Sequence, residues 1–501
     1  MKDVLLISPA TRAFNHYRPP LALMYLSGYL KRHGVGAKII DVIQTHQIRD
    51  KHFGENMARY HQEVEAETLS RISQANADIV GITCYTPELD EVEKFAARIK
   101  VIKPGMTIIV GGVHPTLYPE HFVYPSSPFD FAVIGEGEVT LLDLVQNIRA
   151  GVTDFSTIQG IAFLDTGTGR MVVNTRRPLA ENLDEIAFPD FADLDMDYYT
   201  SASPYAIRGV FTRSFYVSSS RGCPSSCTFC VSKKLRDYHG IRHYARLRSP
   251  DSLIREIGEL RQRYGIDSFY FIDDLFTMRK ENVRQFCERL KSVSLGLVWG
   301  CSSKVNTVDY ETLRLMREAG CLQIDFGVEK GSDEALAKIK KGISVAQIKQ
   351  TFQWCRELGI RTFANMLVNT PGEQAGDLDD IVRLLNEIKP TVVSANIFTP
   401  YPGCQIFDER GALISRADYP LLMKDSAELM RTLPAKFKFC DHAVDLRGWV
   451  NGVMRNFNRV GPNLRTFFDR QYVGSILRSK RKSNYIKQLW LLIREFINQK
   501  A

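Results

Sequence analysis

The sequence lacks any run of about eighteen uninterrupted apolar residues, so nothing in it is expected to span a bilayer as a helix. No early stretch combines a basic start, an apolar run and a small-residue cleavage site; Met1 leads straight into the strand-like Val4-Leu5-Leu6-Ile7, and a cytoplasmic location is expected. Internal repeats and low-complexity tracts are missing, which argues against solenoid arrays and disordered tails. The net charge of +8 is modest for 501 residues and forms no basic stripe along the body, so no nucleic-acid partner is expected. Ten cysteines in a reducing compartment do not form a disulfide framework, which leaves packing, metal binding or catalysis as their uses.

What is present is the composition of a soluble, folded chain, 44% apolar and 24% charged, and long enough for two or three domains. Over residues 1–150, apolar runs alternate with amphipathic segments, predicting strands at Val4-Ser8, Ala37-Asp41, Asp78-Cys84, Met106-Gly111 and Phe129-Ile134. Helices are predicted between them at 20–33, 63–75, 88–102 and 140–150. This is an α/β doubly wound domain, in which ligands sit beyond the carboxyl ends of the strands. Residues 151–205 read as a linker with a hairpin turning at Asp165-Gly169. From 206 to 404 the alternation resumes for six rounds, with strands at 215–219, 268–273, 297–302, 323–328, 362–368 and 392–398, predicting a partial (β/α)6 barrel. Residues 405–501 read as a helical C-terminal region that covers part of the barrel mouth. Its end places Ile486, Leu489, Trp490, Ile493, Phe496 and Ile497 on one helical face after the basic run Arg478, Lys480, Arg481, Lys482. That pattern suits a helix docked on the body, or attachment to the anionic inner face of a membrane.

Seven cysteines are scattered singly among apolar neighbours, as packed thiols are. The other three, Cys223, Cys227 and Cys230, stand at C-x3-C-x2-C directly after the first barrel strand. A structural zinc site needs four closed ligands, yet the paired C-x2-C knuckles are missing and only His239 and His243 stand nearby as a fourth; a four-cysteine ferredoxin site needs a fourth cysteine that the loop lacks. Three thiolates on a [4Fe–4S] cubane leave one iron open, and S-adenosylmethionine (SAM) can chelate it through its amino and carboxylate groups. One electron then breaks a carbon–sulfur bond, the protein positioning the reactants and excluding water.

Together with Gly111-Gly112-Val113-His114-Pro115 and Gly135-Glu136-Gly137-Glu138 upstream, this loop resembles the cobalamin-binding radical SAM enzymes. Downstream, Phe271-Ile272-Asp273-Asp274, Gly327-Val328-Glu329-Lys330-Gly331, Pro371-Gly372-Glu373 and Pro400-Tyr401-Pro402-Gly403 extend the likeness over about the first four hundred residues. The resemblance implies a Rossmann-like cobalamin domain at 1–150 and a radical SAM barrel at 206–404. It places the cluster on Cys223, Cys227 and Cys230, with Phe229 against the adenine and Glu329, Asp273 and Lys304 as polar contacts of SAM. Thr86, Gly111, Gly112, His114, Gly135 and Glu136 are the candidate cobalamin contacts, the glycines allowing close backbone approach to a large planar ligand. The Asp-x-His-x-x-Gly motif that supplies a lower cobalt ligand in many cobalamin proteins is missing: Asp41 is followed by Val42 and Ile43.

The implied reaction is cobalamin-dependent methylation of an unactivated carbon, started by a 5′-deoxyadenosyl radical. Cyclisation, ring rearrangement or oxidation without methyl transfer is the alternative within the same family. A cobalamin- or redox-responsive sensor is the remote one from another class. A small-molecule or lipid substrate and an external electron donor such as flavodoxin or ferredoxin complete the expectation.

Overall fold

The computed structural model describes residues 2–9, 18–41, 57–186, 188–240, 245–422, 433–458, 465–487 and 490, and it divides into two units. The first unit comprises residues 1–196, 237–241 and 414–429.

Its strands β1 (Asp3–Ile7), β2 (Ala37–Ile40), β3 (Ala77–Thr83), β4 (Thr107–Gly111) and β5 (Phe131–Val133) lie parallel in the order β2-β1-β3-β4-β5. Helices α1 (Leu21–Arg32), α2 (Met57–Gln74), α3 (Leu89–Ile102), α4 (Val113–Leu117) and α5 (Gly137–Arg149) connect them. Amphipathic spacing explains α3: Leu89, Val92, Phe95, Ala96 and Ile99 are buried along one stripe, with Asp90 and Glu91 in the first turn and Lys100 in the last. The strand order reverses between β1 and β3, the position at which an open α/β sheet leaves a ligand crevice. The hairpin turning at Asp165–Gly169 does not stand apart as a linker element. Its strands β6 (Ile161–Asp165) and β7 (Arg170–Val173) continue the same sheet antiparallel beyond β5.

The second unit comprises 197–236, 242–413 and 430–501. Its sheet carries the short strand β8 (Ala202–Ser203) antiparallel at one edge, then β9 (Thr212–Val217). Four parallel strands follow at β12 (Ser268–Phe271), β13 (Val298–Ser303), β14 (Cys321–Glu329) and β15 (Arg361–Val368), and β16 (Val392–Ile397) is the other edge. A separate two-residue ladder pairs β10 (Ser220–Arg221) with β11 (Arg246–Leu247). The barrel strands are buried almost throughout, as parallel strands covered on both faces must be, and hence read as near-continuous apolar runs. Helices α7 (Pro250–Glu259), α8 (Lys280–Val293), α9 (Tyr310–Glu318), α10 (Asp333–Lys338), α11 (Val345–Glu357) and α12 (Ala375–Ile388) cover them; α6 (Ser232–His239) precedes this series. Ser249, Asp309, Ser332 and Ser344 cap four of these helices, each accepting a backbone N–H two or three residues into the helix. The helix expected over 250–264 changes to a π-turn at Leu260–Tyr264 and stops at Gly265, whose φ of +65° suits glycine. A core of Phe269, Phe271, Phe276, Phe286 and Trp299 packs at β12, β13 and α8, Phe271 stacking on Phe276 with ring centroids 4.4 Å apart.

The C-terminal region does not sit at the barrel mouth as a whole. Residues 437–442 bind the carboxyl end of β15, where Asn369 accepts from Phe439 N and donates to Phe437 O. Helix α13 (Gln405–Arg410) and α14 (Leu446–Phe457) follow β16, whereas α15 (Arg470–Leu477) and its neighbours close the opposite, amino end of the strands. Of the predicted terminal apolar stripe, Ile486 and Trp490 are described, while Leu489, Ile493, Phe496 and Ile497 lie outside the described residues. Among the described residues no helix is long and apolar enough to cross a membrane.

One buried pair ties β9 to α7. Arg248 Nη1 lies 2.5 Å from Glu256 and 3.0 Å from Ser218 O, with both side chains out of contact with solvent. Replacing one partner leaves the other charge buried and unpaired, so Arg248→Met is expected to cost about 3–5 kcal/mol of unfolding free energy. A urea melt showing a loss below ~1 kcal/mol would remove this pair as a support of the barrel.

Candidate functional site

Strand β9 ends at Val217, and the cysteine segment follows it, closed at its base by the β10–β11 ladder. Asp273, just past the carboxyl end of β12, holds that base. It accepts from Ser219 N at 2.8 Å, Ser220 N at 2.7 Å and the Ser219 hydroxyl at 2.5 Å. Burial pushes the Asp273 carboxyl up to about 6, while these hydrogen bonds act the other way. Its lone pairs are thus turned into the loop backbone. Farther along, Thr228 N donates to Ile339 O and Ile406 N to Thr228 O, both at 3.1 Å. Arg236 donates to Pro224 O and Ser225 O, satisfying carbonyls that the loop leaves open.

Cys227 is buried, and Cys223 and Cys230 are half-buried. The three thiols are close enough that ionising Cys230 opposes ionising Cys227, and ionising Cys223 opposes ionising Cys230. Burial pushes the Cys227 thiol up, and Lys341 and Lys304 pull it back. Burial likewise raises Cys230, whose sulfur has the Ser232 N–H 3.5 Å away. The remaining seven cysteines are buried and free, Cys301 lying against Cys321.

Glu329 ends β14 in a left-handed conformation, φ +68°, after a register shift between Gly327 and Glu329. Its carboxylate lies 2.8 Å from Lys341 Nζ. Lys341 is buried and sits 5.7 Å over the ring of Phe229. Burial works against its charge, but the Glu329 carboxylate and the thiols of Cys227 and Cys223 hold its pKa above the ordinary lysine value. A β-carbon on Gly327 would come within 2.5 Å of both Glu329 Oε1 and Lys341 Nζ, so glycine there makes room for the pair. Lys304 lies half-buried at the same place, its pKa lowered by burial and held up by Cys227. Phe229, Glu329 and Lys304 are thus gathered beside the thiols.

Lys341 belongs to this group and was not singled out from the sequence. It is twelve residues past Glu329, in Lys340-Lys341-Gly342, where nothing in the local pattern marks it off from a solvated lysine. Lys330 and Glu373 form a second buried pair nearby, and Glu373 also accepts from Asn369 N at 2.9 Å and contacts His442 Nε2 at 3.2 Å. Glu373, Cys440 and His442 carry donors within 4.8 Å of one another, but Lys330 already neutralises the carboxylate, which makes this group a brace at the end of β15.

In the first unit, Thr86 Oγ1 lies 2.9 Å from His114 Nδ1, and His114 Nε2 lies 3.0 Å from His121 Nδ1. Both ring nitrogens of His114 are therefore engaged within the protein. Burial, with His121 and Arg416 adding to it, lowers the His114 pKa to about 3, so the ring is neutral at physiological pH. Gly112, φ +116°, lies against Cys84 O, where a β-carbon would approach to 2.9 Å. Gly111 has ordinary room for one, and Gly135, φ +88°, does not accept one without strain. The Thr116 hydroxyl donates to Gly112 O at 2.7 Å and accepts from Gly135 N at 3.0 Å, joining the two glycine turns. Glu136 precedes α5 with extended backbone. Thr86 and His114 thus come together, and Thr116, passed over in the sequence, links Gly112 to Gly135.

Two sequence families match the chain: the radical SAM superfamily over residues 217–385 and the B12 binding domain over residues 8–145. The chain is 29% identical over 414 residues to an uncharacterized methyltransferase, PH0819, of Pyrococcus horikoshii, covering 81% of this chain and 83% of that protein. It is 28% identical over 408 residues to the anaerobic magnesium-protoporphyrin IX monomethyl ester cyclase of Rubrivivax gelatinosus, covering 80% and 68%. Its fold is similar to that of the radical SAM methyltransferase TsrM of Kitasatospora setae, solved with cobalamin and a [4Fe–4S] cluster bound. The TM-score is 0.62 at 18% identity, covering 82% and 75% of the two chains.

If Glu329 and Lys341 stabilise one another, Lys341→Met and Glu329→Gln each cost about 3 kcal/mol. The double variant should then lose at least about 1 kcal/mol less than their sum. Additive losses in chemical denaturation would show that the two charges are not coupled.

Proposed function

The chain belongs to the cobalamin-binding radical SAM enzymes, and from that membership we propose that it methylates an unactivated carbon of a small organic substrate. The observation that carries the proposal is the gathering of Cys223, Cys227 and Cys230 beside Phe229, Glu329, Lys304 and Lys341 at the carboxyl ends of the barrel strands.

The residues fit both groups. Lys304 and Lys341 are two cations facing one carboxylate, Glu329, so the pocket has an excess of positive charge that thiolates and a carboxylate-bearing ligand would balance. The glycine turns at 112 and 135, held together by Thr116, would line the cobalamin at the carboxyl ends of β4 and β5. When bound, the cluster supplies the electron that cleaves SAM to methionine and a 5′-deoxyadenosyl radical, and cobalamin supplies the methyl group.

Three thiols would hold the cluster, and metal binding would release their protons. Phe229 would lie against the adenine. Glu329, its side chain fixed by Lys341, would accept from the amino group or ribose of SAM, and Lys304 would receive its carboxylate. Asp273 acts one step away, holding the loop through Ser219 and Ser220. Gly111, Gly112, Gly135, Glu136 and the Thr86–His114 pair would line the cobalamin. With both its nitrogens engaged, His114 would position the strand-end loop beside the cobalamin. The electron would come from an external donor such as flavodoxin or ferredoxin, and the C-terminal segment would contact the inner face of the membrane.

Radical cyclisation without methyl transfer is a second reading, supported by the likeness to a named cyclase. The sensor reading has no such support.

Anaerobically reconstituted enzyme should release 5′-deoxyadenosine from SAM given a strong reductant, and Cys227→Ala should not. Failure of the wild-type chain to do so would overturn the reading. A substrate that gains one methyl in a cobalamin-dependent manner selects methylation, and a product of unchanged carbon count selects cyclisation or oxidation. His114→Ala should leave the EPR spectrum of bound cob(II)alamin unchanged; a change in its axial nitrogen coupling would identify His114 as a cobalt ligand.

A further inference from the structure

Residues 465–490 concentrate two features that the catalytic reading leaves unused. Phe468 is 84% exposed, Ile486 73%, Leu477 66%, Trp490 58% and Phe467 52%, a density of solvent-facing large apolar side chains matched nowhere else among the described residues. The same stretch holds seven basic residues and one acid, Asp469, so it accounts for six of the chain's eight net positive charges. Asp469 is committed to Arg317. Among the described residues, Arg465, Arg470, Lys480, Lys482 and Lys487 are exposed and face no carboxylate.

These side chains share one end of the second unit. Tyr472 donates to Phe211 O, immediately before β9, and Ser479 and Tyr485 both donate to Asp267, immediately before β12, at 2.7 and 2.9 Å. Arg361, the first residue of β15, donates to Thr466. The segment therefore caps the amino end of the strands. Phe467 meets the ring of Tyr472, and Phe211, whose carbonyl accepts from Tyr472, meets the ring of Tyr485, the residue before Ile486, so both apolar groups flank the start of β9. The cysteine loop leaves the other end of β9, a strand of six residues and roughly 20 Å away.

We propose that this capped end docks on an anionic lipid surface, Phe467, Phe468, Leu477, Ile486 and Trp490 entering the headgroup layer while the basic side chains meet lipid phosphates. Aromatic and aliphatic tips set among unpaired cations are the chemistry of an interfacial contact. Docking in this way turns the cysteine loop away from the bilayer. The membrane then acts as a tether, and substrate reaches the cluster from the aqueous side. This deepens the membrane contact included in the proposed function and is independent of the reaction catalysed.

The test is sedimentation of the full reconstituted chain with vesicles of phosphatidylglycerol and phosphatidylcholine, and with phosphatidylcholine alone. Binding is expected to the anionic vesicles, weakened by salt. Phe468→Ser, and separately Lys480→Glu with Lys482→Glu, should each lower partition about tenfold while iron content and 5′-deoxyadenosine release stay at wild-type values. Brominated lipid should quench the added emission of Phe468→Trp but not that of Lys338→Trp, which lies at the carboxyl end of the strands. Equal binding to neutral vesicles, binding that neither variant alters, or quenching at position 338 instead of 468 overturns the proposal. So does self-association without lipid that Phe468→Ser abolishes, since the face would then join copies of the chain.

Discussion

Taking a carboxylate and an ammonium out of water costs several kcal/mol per ion, and at the end of β14 the chain bears that cost for Glu329 and Lys341. Much of the local sequence follows from accommodating them. Gly327 leaves the space they occupy, the strand register shifts between Gly327 and Glu329, and the backbone of Glu329 turns to a positive φ that most side chains avoid. Lys304 brings a second cation to the same place with no second carboxylate. The arrangement is incomplete by one or more negative charges, and the three thiols beside it are the groups that supply them on losing their protons.

Both sheets are parallel in their central strands, so each collects one set of helix-leading loops at its carboxyl edge and another at its amino edge. In the second unit the two edges are treated differently. The carboxyl edge bears strained residues, buried ion pairs and cysteines. The amino edge is sealed by hydrogen bonds from Tyr472, Ser479 and Tyr485 and by the Arg317–Asp469 pair, and beyond that seal it presents apolar and basic side chains to solvent. The two ends of one sheet thus carry different side-chain chemistry, buried ion pairs and thiols at one and exposed apolar and basic groups at the other.

The strands were legible because β12, β14 and β15 are buried on both faces and read as mainly apolar runs, and most helices because their stripes and caps are local features. The cysteine loop was legible because its spacing and its place after β9 are adjacent in sequence. Asp273 was legible as a polar residue at a strand end, but not that its carboxylate accepts from the backbone of Ser219 and Ser220, fifty-odd residues upstream. The hairpin at 161–173 was legible from its turn at Asp165–Gly169, but not that it extends the first sheet, because the β5–β6 pairing joins residues some thirty positions apart. The C-terminal region read as a cover for the barrel mouth, yet residues 465–487 close the far end, where Phe211, Asp267 and Arg361 await them.

Periodicity, spacing and turn residues act between neighbours along the chain, so the sequence by itself determined the alternation of strands and helices, the two α/β units and the three-cysteine loop. The partners of Glu329, Asp273, His114 and the terminal segment come from residues seven to more than two hundred positions away. Only the tertiary structure decided them, because the cost of burying a charge or a polar group depends on which distant atoms arrive to meet it.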